Sequence, residues 1–309
     1  MQIIRHHRLP VNRPLALTIG NFDGVHLGHQ ILIRQLRQEA QTRGWDSAAM
    51  TFEPHPVTVL AGKPAHRIEG VRKKIQQLAA TGLEILYLPR FNKRFASQSA
   101  KEFTSFLFTQ LAVRHLVVGE DFRFGQGRQG DVTMLKKAAA AHGATVLGAE
   151  LLWSGDAPIS SGRIREYLRA GNFIAAAQLL GREWVLDGRV VRGEGIGRRL
   201  GFPTANLRLN FVPVCSGIFA GDTVIDGVRY PAAVSIGNNP TVQNSSLVRA
   251  EAHVLDFDGN LYRRRLTVQL FEKLRDEEKY NNLEQLRAAI ADDVKTVRQR
   301  FDHRTKAGY

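Results

Sequence analysis

The chain has 309 residues, 43% of them hydrophobic, long enough to bury one large core or two ordinary ones. Its single cysteine, Cys215, excludes an intrachain disulfide; no apolar run reaches membrane-spanning length, and the basic stretch Met1 to Pro14 has no apolar leader segment, so a cytoplasmic protein with no membrane partner is expected. A formal net charge of +14 attracts polyanions, but the basic residues are scattered and no zinc-ligand or aromatic–basic pattern accompanies them, which points to phosphorylated small molecules rather than nucleic acid.

The first strong element is the apolar run Leu15–Ile19, which reads as a buried strand and stops at Gly20. A short loop with Phe22, Asp23 and Gly24 follows, and His26, Leu27, Gly28 and His29 open a helical pattern that ends at Arg43-Gly44. Strand, glycine-rich turn and helix aim backbone N–H groups and a positive helix end at an anion. The two histidines are three apart and share a face, able to donate to phosphate oxygens or simply to cap the helix; Gly28 between them lets a ligand approach closely. Further short apolar runs at Ser47–Phe52, Glu84–Leu88, His115–Val118 and Thr145–Leu147 alternate with helical patterns at Val71–Ala80, Ala100–Leu111 and Val132–His142. Such alternation predicts a parallel sheet with helices on both faces, and a ligand at the carboxyl ends of its strands, where Gly20, His55 and Gly119 fall. Beyond Gly119, Asp121 is placed to accept from a base or ribose. Phe122 and Phe124 can wall a planar ring or fill the core, and Asp131 can cap the next helix. In Ile159–Arg165, two hydroxyls, Ser160 and Ser161, and two arginines, Arg163 and Arg165, make a second phosphate-binding element.

After Gly181 the texture changes. Trp184–Val191, Gly217–Ile225, Val228–Ser235, Val248–Phe257 and Arg265–Leu270 are strand-like, and Asp226-Gly227 and Asp258-Gly259 signal hairpin turns. Many short strands predict a small antiparallel barrel, with a boundary near residue 182. The terminal helix carries Leu283, Leu286, Ile290, Val294, Val297 and Phe301 on one stripe, expected to pack on the barrel. The run from Gly188 to Asn206 holds five glycines, Gly188, Gly193, Gly195, Gly197 and Gly201, a loop able to wrap phosphates through backbone N–H groups. Thr204 and Asn206, two apart on an extended segment, share a face. Glu251, His253 and Leu255 share another, and Glu251 is expected on the inward side of the barrel, where a carboxylate suits a general base.

The Thr18–Gln30 segment, with Ser161 and Arg165, resembles the nucleotidyltransferase signature of the prokaryotic bifunctional riboflavin kinase/FAD synthetases, and Gly-Phe-Pro-Thr-Ala-Asn at 201–206 with Glu251 resembles their kinase signature. The resemblance implies an α/β plus all-β chain: residues 1–182 a Rossmann-like FMN adenylyltransferase domain, residues 183–309 a riboflavin kinase barrel with a terminal helix. It implies that ATP adenylylates FMN to FAD, with pyrophosphate leaving. His26, His29 and Arg165 would supply positive charge, and Ser161 with Arg165 would hold the triphosphate. Gly20, Phe22, Asp23, Gly24, Gly28, Asp121, Phe122, Phe124 and Ser160 would line that nucleotide site. For the kinase it implies ATP on Gly193, Gly195, Gly197, Arg198 and Gly201, Mg²⁺ on Thr204 and Asn206, and Glu251 as the base on the riboflavin hydroxyl. The family pattern is departed from at Gly162, Ile196 and Arg263. Competing classes are a basic RNA-binding protein, disfavoured because every motif serves ATP or Mg²⁺ and none reads bases, and a flavin enzyme with one dead site, disfavoured because both sets of polar groups are intact. The oligomeric state is left open between monomer and transient oligomer.

Overall fold

A computed structural model describes residues 1–5, 13–237 and 249–306. The chain divides into two compact units: Met1–Ala65 with Val71–Ser160, and His66–Gly70 with Ser161–Tyr309.

The first unit is built on a six-stranded, all-parallel sheet. Its strands are β1 (Gln2–Ile4), β2 (Leu15–Ile19), β3 (Asp46–Met50), β4 (Ile85–Tyr87), β5 (Val113–Gly119) and β6 (Thr145–Ala149), in the order β1-β4-β3-β2-β5-β6. Every residue of β2 is buried, as a strand covered on both faces requires. Leu15, Leu17 and Ile19 pack into one hydrophobic cluster and Ala16 into another, with Ile33 and Leu36 of helix α1 (Leu27–Arg43). Helices α2 (Val71–Ala80), α3 (Ala100–Ser105) and α4 (Val132–Ala140) follow the predicted patterns. Gly44 closes α1 at φ 66°, its N–H reaching the carbonyls of Ala40 and Gln41. Asp131 caps α4 by accepting from the Met134 N–H at 2.8 Å. Strand order reverses between β2 and β5, so the carboxyl edge there is the expected ligand crevice.

The second unit is a closed antiparallel barrel of six strands. They are β7 (Val185–Val191), β8 (Ala205–Arg208), β9 (Gly217–Ile225), β10 (Val228–Gly237), β11 (Arg249–Val254) and β12 (Arg265–Arg275), ordered β7-β8-β11-β10-β9-β12, with β12 returning to β7. The start of the predicted strand at Val248 lies outside the described residues. Asp226 and Gly227 turn β9 into β10 with φ 52° and 84°, the paired positive angles of a two-residue hairpin. Asp258-Gly259 does not make the predicted hairpin. It lies in the connection from β11 to β12, which pair with other strands and not with each other. The stripe of the terminal helix α7 (Leu283–Lys306) meets the barrel through Val294 and Val297, against Ala220, Leu255 and Phe271, while Leu283 at its start is exposed. Cys215 is buried and its thiol is pushed up to about 12, chiefly by that burial, which fits a packing residue.

Three further pieces join the barrel in this unit. Helices α5 (Ser161–Arg169) and α6 (Phe173–Leu180) precede it, and Phe173 stacks on Trp184 with ring centres 5.8 Å apart and meets the edge of Phe219 at 5.9 Å. The third piece is the strap His66–Gly70. Its His66–Arg67 pairs in parallel with Val212–Pro213, Glu69 bridges Arg182 at 3.1 Å, and the Ile68 carbonyl accepts from the Trp184 indole at 2.7 Å.

Candidate active sites

In the first unit, the chain leaves β2 through a tight loop in which Phe22 (φ 46°), Gly24 (φ 83°) and Val25 (φ 40°) all take left-handed backbone. For the β-branched Val25 this is unusual, and such strain costs on the order of 1–3 kcal/mol per residue. The loop delivers His26 to the N-cap of α1, where its Nδ1 accepts the His29 N–H at 3.4 Å, which leaves Nε2 to carry a ring proton. The two imidazoles stack 3.6 Å apart at 20°, and the Phe22 edge meets His29 at 5.1 Å. Burial holds the His29 pKa well below 6.5, with the charges of His26 and Lys74 adding to it. His29 therefore brings an N–H donor at neutral pH, where the sequence reading had it supply charge. Its Nδ1 is buried and makes no hydrogen bond. A Cβ on Gly28 would lie 3.2 Å from His26 Nδ1, so the glycine leaves room for the ring pair.

Other predicted residues fall into place unevenly. Gly20 closes on the Phe22 ring, 3.3 Å from a would-be Cβ, and Phe22 and Asp23 are buried, so the loop is internally packed. Asp121 is exposed at the end of β5, and a Cβ on Gly119 would come within 2.9 Å of its carboxylate. Phe122 stacks on Phe124 at 5.8 Å, but Phe124 is a core side chain 5.2 Å from Phe103, so the two do not form an open wall. Ser160 ends the first unit, while Ser161 and Arg165 stand one turn apart on α5. Sequence reasoning missed Lys74, which it took as one of the scattered basic residues. Its signal was positional: Val71, Lys74, Ile75 and Leu78 form one helical stripe, and a lysine on an apolar stripe is buried for a reason.

In the second unit, β8 and β11 run side by side and bring Asn206 opposite Glu251; Ser235 of β10 lies opposite Glu251 on the other flank. Thr204 donates its hydroxyl proton to Glu251 Oε2 at 3.1 Å. Alternation sends the buried Ala205, Ala250, Ala252 and Val234 into the barrel, so Glu251 stands on the outer face and not inward as predicted. Small alanines fill the interior, and the carboxylate takes the open side. That side is a cavity of about 360 Å³ whose lining includes Gly195, Gly197, Thr204, Asn206, Glu251 and Glu277. Gly195 (φ 71°) and Gly201 (φ 91°) bracket a helical turn, Ile196–Leu200. A Cβ on Gly193 would overlap the Asn206 amide, and one on Gly197 would overlap the Phe202 carbonyl. Arg198 is exposed and, with Gly193 and Gly201, stands outside the lining. His253 donates Nδ1–H to the Pro203 carbonyl at 2.8 Å, which fixes its ring beside Phe202.

Sequence reasoning missed the far wall of this cavity. Arg275 at the end of β12 grips Asp293 of α7 with two bonds, 3.0 and 2.7 Å. Glu277 accepts from the Ser235 hydroxyl at 3.4 Å, and its carboxyl is raised above the usual range chiefly by burial. A charged pair spanning a strand end and a helix 18 residues later has no local sequence signature.

An FAD synthetase family model matches residues 9–163 and a riboflavin kinase model residues 180–301. The chain is 39% identical to the bifunctional riboflavin kinase/FMN adenylyltransferase of Pseudomonas fluorescens, over 96% of this chain and 97% of that one. It is also 39% identical to the protein of the same name from Escherichia coli strain K12, over 93% and 92%. The chain belongs to the bifunctional riboflavin kinase/FMN adenylyltransferase family.

A crystal structure of a Streptococcus pneumoniae protein, named there as a macrolide-efflux protein, superposes with a TM-score of 0.75 at 29% identity, over 96% of this chain and 99% of that one. Among the described residues of this family member, no helix is long and apolar enough to cross a membrane. The FAD synthetase match covers the His26–His29 loop, and the riboflavin kinase match covers the Thr204–Asn206–Glu251 cluster.

Proposed function

We propose that this family member phosphorylates riboflavin with ATP at the barrel and adenylylates the resulting FMN with a second ATP at the His26–His29 loop, in a domain of residues 1–182 joined to a kinase domain of residues 183–309. The observation that carries the reading is the cluster of Thr204, Asn206 and Glu251 beside the glycine loop and the cavity. Glu251 takes the proton from the ribityl 5′-hydroxyl as that oxygen attacks the γ-phosphorus of ATP and ADP departs. The glycine loop cradles the phosphates through N–H groups. Thr204 donates its proton to Glu251, so its oxygen lone pairs face outward. With the Asn206 amide oxygen it makes a hard oxygen donor set suited to Mg²⁺, which neutralises phosphate charge when bound. Among the described residues no group of three His, Cys, Asp or Glu side chains could hold a metal, consistent with an ion held largely by nucleotide phosphates.

For the second reaction, an FMN phosphate oxygen attacks the α-phosphorus of ATP and pyrophosphate leaves. His26 Nε2–H and His29 donate hydrogen bonds to the phosphates, and the family resemblance assigns Ser161 and Arg165 to the same triphosphate. ATP and phosphorylated flavins as substrates support a cytoplasmic protein. Incubation with riboflavin, ATP and Mg²⁺, followed by chromatography over time, should show FMN first and FAD after it. FMN accumulating with no FAD would leave only the kinase half of the reading standing.

A further inference from the structure

Lys74 is a buried cation near the His26–His29 loop that the reaction above does not use. It is 1% exposed, on the apolar stripe of α2. Its ammonium donates to the Asn21 carbonyl and to Thr51 Oγ1, both at 3.1 Å, and Thr51 Oγ1 donates to the same carbonyl at 3.1 Å. Asn21 is the residue just before the left-handed Phe22, so this triangle grips the strained loop at its root. Thr51 follows β3 and is itself fully buried, so the anchor point is rigid. A buried ammonium is a costly way to fasten a carbonyl that a neutral donor already reaches. The cation has a second consequence: it lies close enough to His29 to disfavour a proton on that ring.

We propose that Lys74 is a positioning residue for adenylyl transfer, its ammonium holding the Asn21–Val25 loop so that the stacked His26 and His29 present their N–H groups to the nucleotide. The inference rests on the reading that these histidines serve that reaction. The groups of charge that bear on His29 are His26 at the head of its own helix and Lys74 from α2.

Lys74→Met keeps the length and the apolar stem and removes the charge. Asn21 O keeps its Thr51 donor, so the fold should survive. With supplied FMN, kcat for FAD formation should fall about 10²-fold, the cost of misplacing reacting groups by about an ångström. The KM for ATP should move much less, and riboflavin phosphorylation by the same molecules, which reports folding, should be unchanged. The His29 imidazole, followed by NMR titration, should move up toward 6.5 in the variant. Thr51→Val, which removes the acceptor of Lys74 and the second donor to Asn21 O but keeps the charge and its own bond to that carbonyl, should lower kcat less and leave the His29 titration near wild type. Unchanged kcat in a folded Lys74→Met protein, or an unmoved His29 titration, would overturn the proposal. If Lys74→Met does not fold, full kcat in Thr51→Val does the same. His29→Ala separates the two readings: if it leaves FAD formation intact the histidine assignment fails, and if it abolishes FAD formation while Lys74→Met does not, only the lysine assignment fails.

Discussion

Glu251→Gln keeps the size of the side chain and its bond from Thr204 but removes the base, so FMN formation should drop about 10²–10⁴-fold. FAD formation from supplied FMN should hardly change; near wild-type riboflavin phosphorylation in a rate assay would instead free Glu251 of the role. His29 gives a pH signature. Its folded pKa lies below 6.5 while the unfolded chain titrates near that value, so below about pH 6.5 the unfolded state binds a proton the native state refuses. Stability of the first unit should therefore fall as pH drops through that range, and urea midpoints between pH 7 and 5.5 should decline less in His29→Ala than in wild type. Residues whose chemistry sits in local spacing were legible in part: Thr204 and Asn206 share a face as their alternation implied, but Glu251 joins them on the outer side of the barrel and not inside it. Lys74 and the Arg275–Asp293 pair were not, because a lysine reads as surface and an ion pair across 18 residues leaves no periodic mark.

Elements were legible where pattern and punctuation agree. The fully buried β2, the glycine that ends α1 and the Asp226-Gly227 turn all stand where the sequence puts them. Asp258-Gly259 carries the same turn chemistry, yet joins strands that barrel closure assigns to other partners. Turn residues specify local backbone; pairing belongs to the whole sheet. Three-residue β1 is an edge strand too short to show an alternation, and the helix read over Ala100–Leu111 passes into a wider π-helical turn at Phe106–Gln110. The glycine loop tests what an element needs of its smallest residue. Gly193→Ala would set a methyl group into the Asn206 amide, so riboflavin phosphorylation should fall roughly 10- to 100-fold by displacing that amide. FAD formation from FMN should persist, and a kinase at full rate in this variant would show that Asn206 has room to move.

On the scale of the molecule, the change of texture near residue 182 marks where the barrel begins but not what packs on it. Helix α6 is apolar on its barrel side, and Phe173 binds it to Trp184 and Phe219. Phe173→Ala should cost about 3–5 kcal/mol in the second unit's unfolding, seen as a lower denaturant midpoint. By the same logic a fragment of residues 161–309 should melt well above one of residues 183–309; equal melting temperatures would show that α5 and α6 lend the barrel nothing. Neither fragment contains the strap His66–Gly70, which leaves the indole of Trp184 without its carbonyl partner. That strap carries a consequence in time. Its His66 ring bonds the Pro213 carbonyl, 147 residues further on, so on a ribosome adding about 5–20 residues per second the strap waits roughly 7–30 s for the strand it will meet. The first half of the nascent chain is obliged to keep a short segment unspent until the barrel is made. A gene split or reshuffled between the two activities, wherever the single cut is placed after Gly70, would strand that segment on the wrong polypeptide.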